Sequence, residues 1–403
     1  VTLAIKVDFG KKKPGEIQEM KGESPQARHM DVLSRLAIRG LDENHELAEY
    51  DQLEKLRRES RYVARLSDEE FADFAALADT HHVVVRVLNV VRAVAALQPE
   101  AVAPASENGK RVAERCEERC EIVLTDEHAR IDQAVEYLQS ICKTLEARGC
   151  SVAVIKSLDH WPDLGSDLDL YTTADESSVE KAMREAFGAE RVERSWGDRL
   201  ANKWNYSVPG LPELVEIHVQ YLGQTGEHAE LARRVIERRV QKNVGGYEFL
   251  VAAPEERIVI STLQRVYRHF YFRLCDMIDT AALLKSGAVH FGELKRAANS
   301  AGIWEGVATY LCLIRNYVES YGGTVSLTDD IVQSALSPDS SVQFKSDYLR
   351  VSKATGARLY SSQLLAAGRH GDIRALLRLP LLPPLAISAL VAHGLTGNDK
   401  GIW

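Results

Sequence analysis

A chain of 403 residues is longer than one hydrophobic core usually serves, so two or three domains are the expectation. With 45% hydrophobic and 27% charged residues it reads as an ordinary globular protein, and its formal charge of −8 argues against a broad basic surface for a long nucleic acid, leaving room only for a local basic groove. Six irregularly spaced cysteines make no disulfide framework and fit a reducing, cytoplasmic setting.

From Val1 to about Pro25 a short strand and a mobile Lys-, Gly- and Glu-rich stretch are expected, without a secretory pattern. Between His29 and about Leu97 apolar residues recur at helical spacing, and Ser67 followed by Asp68, Glu69 and Glu70 has the form of a helix N-cap. Gln98 to Gly109, with two prolines among small and polar residues, reads as a linker. A charged helix near Arg111 to Ile122 and a second from Thr125 to about Arg148 are expected next. Cys116 and Cys120 share a helical face but have no CxxC or CxH partner, and read as thiols on a helix rather than metal ligands.

The following region is mixed. Strands are expected at Val152 to Ile155, Asp167 to Tyr171, Arg191 to Trp196, Lys203 to Val208, Leu214 to Val219 and Glu248 to Val251, with helices at Ser177 to Phe187 and Glu227 to Gln241. Pro254 opens a helical run to Phe270, followed by helices near Arg273 to Leu284, Phe291 to Ala301 and Trp304 to Tyr321. Leu379 to Ala392 is uncharged but too short and proline-broken to span a bilayer, and a buried helix is expected there. The fold class is therefore α+β: a small mixed sheet in residues 109–253, flanked by helical domains in residues 1–108 and 254–403.

Chemistry concentrates in VAVIKSLDHWPDLGSDLDLY, Val152 to Tyr171. Asp167 and Asp169 alternate with Leu168 and Leu170, so a strand projects both carboxylates from one face. Glu216, in the alternating segment ELVEIHV, supplies a third acid, and His218 shares its face. Hard oxygen ligands on rigid backbone suit Mg2+, or Mn2+, and leave positions open for phosphates. The same aspartates also suit a turn cap, Glu216 a half-exposed strand residue and His218 a structural histidine. His160 and Trp161 lie in the intervening loop, where a base could stack, or where the tryptophan could tuck against the core; His81 and His82, on a valine-rich helix, read as non-ligands. There is no GxxxxGK[ST] loop, GxGxxG, GxSxG or HExxH in the sequence.

The set VIKSLDHW, GSDLDLY and LVEIHVQ resembles the nucleotidyltransferase superfamily of the DNA polymerase β type, and within it the bacterial group described simply as nucleotidyltransferase family proteins. The likeness covers roughly Ala134 to Ala252, with a weaker echo in RVYRHFYFRLCDMIDTAALL. It implies metal binding and catalysis by Asp167, Asp169 and Glu216, with two-metal in-line transfer of a nucleoside monophosphate from an NTP, ATP being the first choice, to a hydroxyl acceptor of unspecified kind. Substrate contacts are expected from Lys156, Ser157, Ser166, Arg199, Lys203 and His218. One departure stands out: Lys156 and Ser157 replace the usual glycine-containing pair, so the backbone freedom that lets a triphosphate approach closely is partly missing. The alternative is a catalytically silent core that binds nucleotide or serves as a protein-interaction module.

Overall fold

The structure is a computed structural model that describes residues 24–39, 50–97, 106–385, 387–388 and 391. The strand and charged stretch expected before Pro25, and most of the linker beginning at Gln98, lie outside the described residues.

Four helices come first: α1 (Pro25–Arg39), α2 (Tyr50–Ala64), α3 (Asp68–Thr80) and α4 (Val84–Leu97). Ser67 caps α3 as expected, its hydroxyl accepting from the Glu70 amide at 3.2 Å while the Glu70 carboxylate accepts from the Ser67 amide at 2.9 Å. Helix α5 (Glu107–Ala147) then runs unbroken for 41 residues, where two helices were expected. Thr125 and Asp126 have cap chemistry but are exposed, and the buried stripe through Cys116, Cys120, Leu124, Ile131 and Leu138 continues past them. Packing of that stripe keeps the helix intact.

A seven-stranded mixed sheet follows, in the order β3-β4-β5-β2-β1-β7-β6. Its strands are β1 (Val152–Val154), β2 (Asp167–Thr172), β3 (Glu190–Arg191), β4 (Lys203–Ser207), β5 (Leu214–Val219), β6 (Val240–Val244) and β7 (Tyr247–Val251), with α6 (Glu176–Phe187), α7 (Trp196–Ala201) and α8 (Ala229–Glu237) between them. The strand expected from Arg191 to Trp196 is cut short because Ser195 and Asp198 form a capping box that opens α7. Likewise, the helix expected to reach Gln241 ends at Glu237, because Val240–Val244 pairs with β7 around Gly245 and Gly246, both at positive φ.

Helix α9 (Pro254–Thr262) carries Pro254 in its first turn and continues as a π-helix over Leu263–His269. Beyond it come α10 (Leu274–Lys285), α11 (Phe291–Ser300), α12 (Trp304–Ser320), α13 (Asp329–Ser334), α14 (Lys353–His370) and α15 (Ile373–Arg378). A second, three-stranded sheet, absent from the sequence reading, joins β8 (Tyr271–Phe272), β10 (Tyr348–Arg350) and β9 (Gln343–Lys345) in that order. The run from Leu379 is not the expected buried helix. Leu379 and Leu382 are buried in a small cluster with Ala367 and Ala375, whereas Leu381, Ile387 and Val391 are exposed. No helix among the described residues is long and apolar enough to cross a membrane.

Buried side chains from Met30 to Leu359 form one continuous core. Ion pairs tie the segments together where apolar packing gives out. Asp163, buried in the loop after β1, accepts from the Val85 amide at 2.6 Å at the start of α4, and Arg86 reaches both Asp163 (3.4 Å) and Asp279 of α10 (2.6 Å). A second network sets Arg234 of α8 and Arg238 at its C-terminal cap against Glu255 and Glu256 of α9 and Glu293 of α11. Hydrogen bonds from Arg234 and then Arg296 hold the Glu293 carboxyl down at about 2. Its folded value lies below its unfolded one, so this contribution is present above the ordinary glutamate range near pH 4.5 and is lost as pH falls toward 2. In urea titrations Glu293→Gln should lower stability at pH 7 by about 1–2 kcal/mol and flatten the acid limb between those values.

Candidate functional site

β2 and β5 are parallel neighbours at the centre of the sheet, in a register that sets Asp169 opposite Glu216 and Tyr171 opposite His218. Period-two alternation turns Asp167, Asp169, Glu216 and His218 to one face, while Leu168, Leu170, Val215 and Ile217 are buried on the other. On the antiparallel strand β4, Lys203 lies opposite His218. Its ammonium sits 2.8 Å from Glu216 Oε2 and 2.6 Å from Asp198 Oδ1.

Lys156 enters from the other side. Its φ of 67° and ψ of −60°, with the Ser157 amide donating to the Ile155 carbonyl at 2.8 Å, define a γ-turn of the rare positive-φ kind. The turn aims the Lys156 ammonium onto Asp169 Oδ1, with Glu216 Oε1 at 3.6 Å. Ser157 locks the turn, accepting from the Asp169 amide at 2.7 Å and donating to the Asp167 carbonyl at 3.1 Å. Both its hydroxyl and its amide are therefore engaged by backbone. Ser166 donates to Asp167 Oδ2 at 3.3 Å. Arg199 is exposed on α7, its guanidinium 5.5 Å from the Trp196 ring centre, and does not line the cavity with the others.

Burial would push every carboxyl here upward, and the cations decide which stay ionised. Glu216 is held well below the usual range because Lys156, Lys203 and His218 outweigh its burial. Burial raises Asp169 well above its usual value despite Lys156, and raises Asp167 with help from the Glu216 charge. Glu216 is thus the firmly anionic member. His218 donates from Nε2 to Glu216 Oε1 at 2.8 Å, and burial lowers its imidazole to about 4, so it is neutral.

Lys156, Asp167, Asp169, Lys203 and Glu216 line a cavity of about 390 Å³, while His218 borders a neighbouring pocket. The same cavity is also lined by Arg265, Arg268 and His269 of the π-helix, Tyr271 of β8 and Arg273 just after it, a basic wall. This basic wall escaped the sequence reading. Its signal is the alternation of basic and aromatic residues in RVYRHFYFR, which passes for an amphipathic helix until the π-turn rotates Arg268 and His269 toward the sheet. Asp198, a partner of Lys203, was also missed.

One donor atom each from Asp169, Glu216 and His218 lies within 4.8 Å of the others, and Asp167 shares their face. Carboxylate oxygens with one imidazole are a set that takes Mg2+ or, more readily, Mn2+. The Lys156 ammonium, lodged between Asp169 and Glu216, marks the same spot as favourable for positive charge.

No protein-family model and no curated protein matches this chain. Among solved structures, an antigenic nucleotidyltransferase-like protein from Paracoccidioides brasiliensis is similar at 16% identity and a TM-score of 0.28, over 40% of this chain and 84% of that one. A likeness of that size leaves the reading to the residues themselves.

Ser157→Ala removes two hydrogen bonds from the turn that carries Lys156. Thermal or urea unfolding should show a loss of about 1–3 kcal/mol.

Proposed function

We propose that the chain is a metal-dependent nucleotidyltransferase, moving a nucleoside monophosphate from an NTP, with ATP the first choice, to a hydroxyl acceptor. The observation that carries this reading is the register of β2 on β5, which opposes Asp169 and Glu216 in a cavity that Arg265, Arg268 and Arg273 also line. Asp167, Asp169, Glu216 and His218 are the residues that would hold the metal, which supplies charge neutralisation at the phosphates and acidifies the acceptor hydroxyl.

The chain's own groups do the rest. Arg268 and Arg273 offer cations for the β- and γ-phosphates, in the cavity that Lys156 and Lys203 also line. The acceptor hydroxyl, acidified by the metal, would give up its proton near Glu216, whose surrounding cations keep it ionised and so a weak base of its own. The acceptor oxygen then bonds to the α-phosphorus, the α–β bridging bond breaks, and pyrophosphate leaves toward the basic wall. The second reading is a catalytically silent nucleotide-binding or protein-interaction module, in which Lys156 answers the Asp169 carboxylate without a divalent ion.

The two readings part in one experiment. With Mg2+ or Mn2+ and separately labelled ATP, label at the α position should enter an acceptor, in a cell extract or in the protein itself, with release of pyrophosphate. Asp169→Asn and Glu216→Gln should each reduce this by about 100-fold or more. Movement of γ label instead would mean a kinase-like reaction, and nucleotide binding without transfer would leave the silent module.

A further inference from the structure

A second cluster of metal-ligand type borders the same cavity, on residues that the proposed transfer does not use. His82 follows α3 in left-handed backbone at φ 51°, with the Val83 amide reaching back to the Ala78 carbonyl at 3.0 Å, so the helix end fixes where its ring goes. His160 closes the short 3-10 turn after β1, and Cys275 lies in the first turn of α10. The three are 8%, 8% and 0% exposed. One donor atom from each lies within 4.8 Å of the others, and His160 Nε2 is 4.0 Å from Cys275 Sγ.

Several features exceed what packing alone needs. His160 Nδ1 bonds Asp279 Oδ2 at 2.6 Å, and Asp279 is in turn held by Arg86 at 2.6 Å. That leaves Nε2 as the nitrogen directed at Cys275. A carboxylate behind a histidine is the arrangement that orients metal-bound imidazoles and raises their basicity. The His82 ring stands edge-on to His160, with centroids 5.3 Å apart, and its buried Nδ1 has no hydrogen-bond partner. Gly165 makes room for it, since a Cβ there would come within 2.8 Å of His82 Cε1. For tetrahedral zinc, bonds of about 2.3 Å to sulfur and 2.0 Å to nitrogen put sulfur and nitrogen roughly 3.6 Å apart, so a shift of a few tenths of an ångström brings His160 and Cys275 to that spacing.

We propose that His82, His160 and Cys275 form a three-ligand site for a borderline-soft divalent cation of the zinc class, with its fourth position open to the cavity that His82 and His160 line. Two imidazoles and a thiolate select against Mg2+ and Ca2+, so this ion is distinct from any held by Asp169 and Glu216. On binding, the thiol hydrogen leaves as a proton and sulfur bonds the metal.

Co2+ is the probe, used on the full chain after removal of bound metal with a chelator. The wild type should take up one equivalent with a thiolate-to-cobalt charge-transfer band. The band should persist in the Asp169→Asn, Glu216→Gln double variant and vanish in Cys275→Ser, and His82→Ala should weaken Zn2+ binding at least about 10-fold. X-ray absorption of the zinc-loaded wild type, which needs no variant to fold, should show one sulfur neighbour among nitrogen and oxygen. A shell with no sulfur, or with two sulfurs from Cys116 and Cys120, overturns the assignment, as does a charge-transfer band that survives in folded Cys275→Ser.

Discussion

Two carboxylates directly opposed on neighbouring parallel strands repel one another, and the centre of the large sheet is built around neutralising that repulsion. At the separation allowed by the Asp169, Glu216 and His218 cluster, within 4.8 Å, two unit charges repel by roughly 3 kcal/mol at an effective dielectric near 20. Lys203 and Lys156 approach from opposite sides, one from a neighbouring strand and one from a strained turn. Because Lys203 also holds Asp198, its ammonium is fixed and Lys156 is the more replaceable cation. The site is therefore a balanced set of charges in which one positive group can be exchanged for another.

The backbone at Lys156 adopts a conformation that glycine takes more readily. Positive φ at a non-glycine residue costs of order 1–3 kcal/mol and persists only where surrounding contacts determine it. Ser157 supplies that determination with three bonds: its amide to Ile155, and its hydroxyl to both Asp167 and the Asp169 amide. The chain thus keeps a glycine-like turn with a lysine in it. What changes is chemistry, since a cation now occupies ground that a bare backbone would have left to the ligand.

Alternation made the strands that carry the acids legible, and DLDLYT and LVEIHV lie where the period of two puts them. Side chains that act through distant partners were harder to read. Thr125 looks like a helix start because cap chemistry is local, while the stripe that overrides it is tertiary. Val240 to Val244 carries too few apolar residues to announce a strand, and β6 exists because β7 and the two glycines fold it back. In RVYRHFYFR the residues were visible but their direction was not, because a π-helix changes the angular step that a sequence reading assumes.

Those long-range partners also make the helical flanks part of the site. Arg86 on α4 bonds the His160 and Trp161 carbonyls at 2.7 and 2.9 Å and pairs with Asp163 and Asp279, so one side chain of the first helical region fixes the loop between β1 and β2 and docks α10. Arg265 pairs with Asp276 at 2.7 Å, and Asp276 also accepts from the Arg273 amide, which ties the π-helix to the start of α10. Both pairs are largely buried, where loss of one partner leaves an uncompensated charge. The carboxylate floor needs only the sheet, but the cavity, with its two opposed charges, needs all three regions packed together.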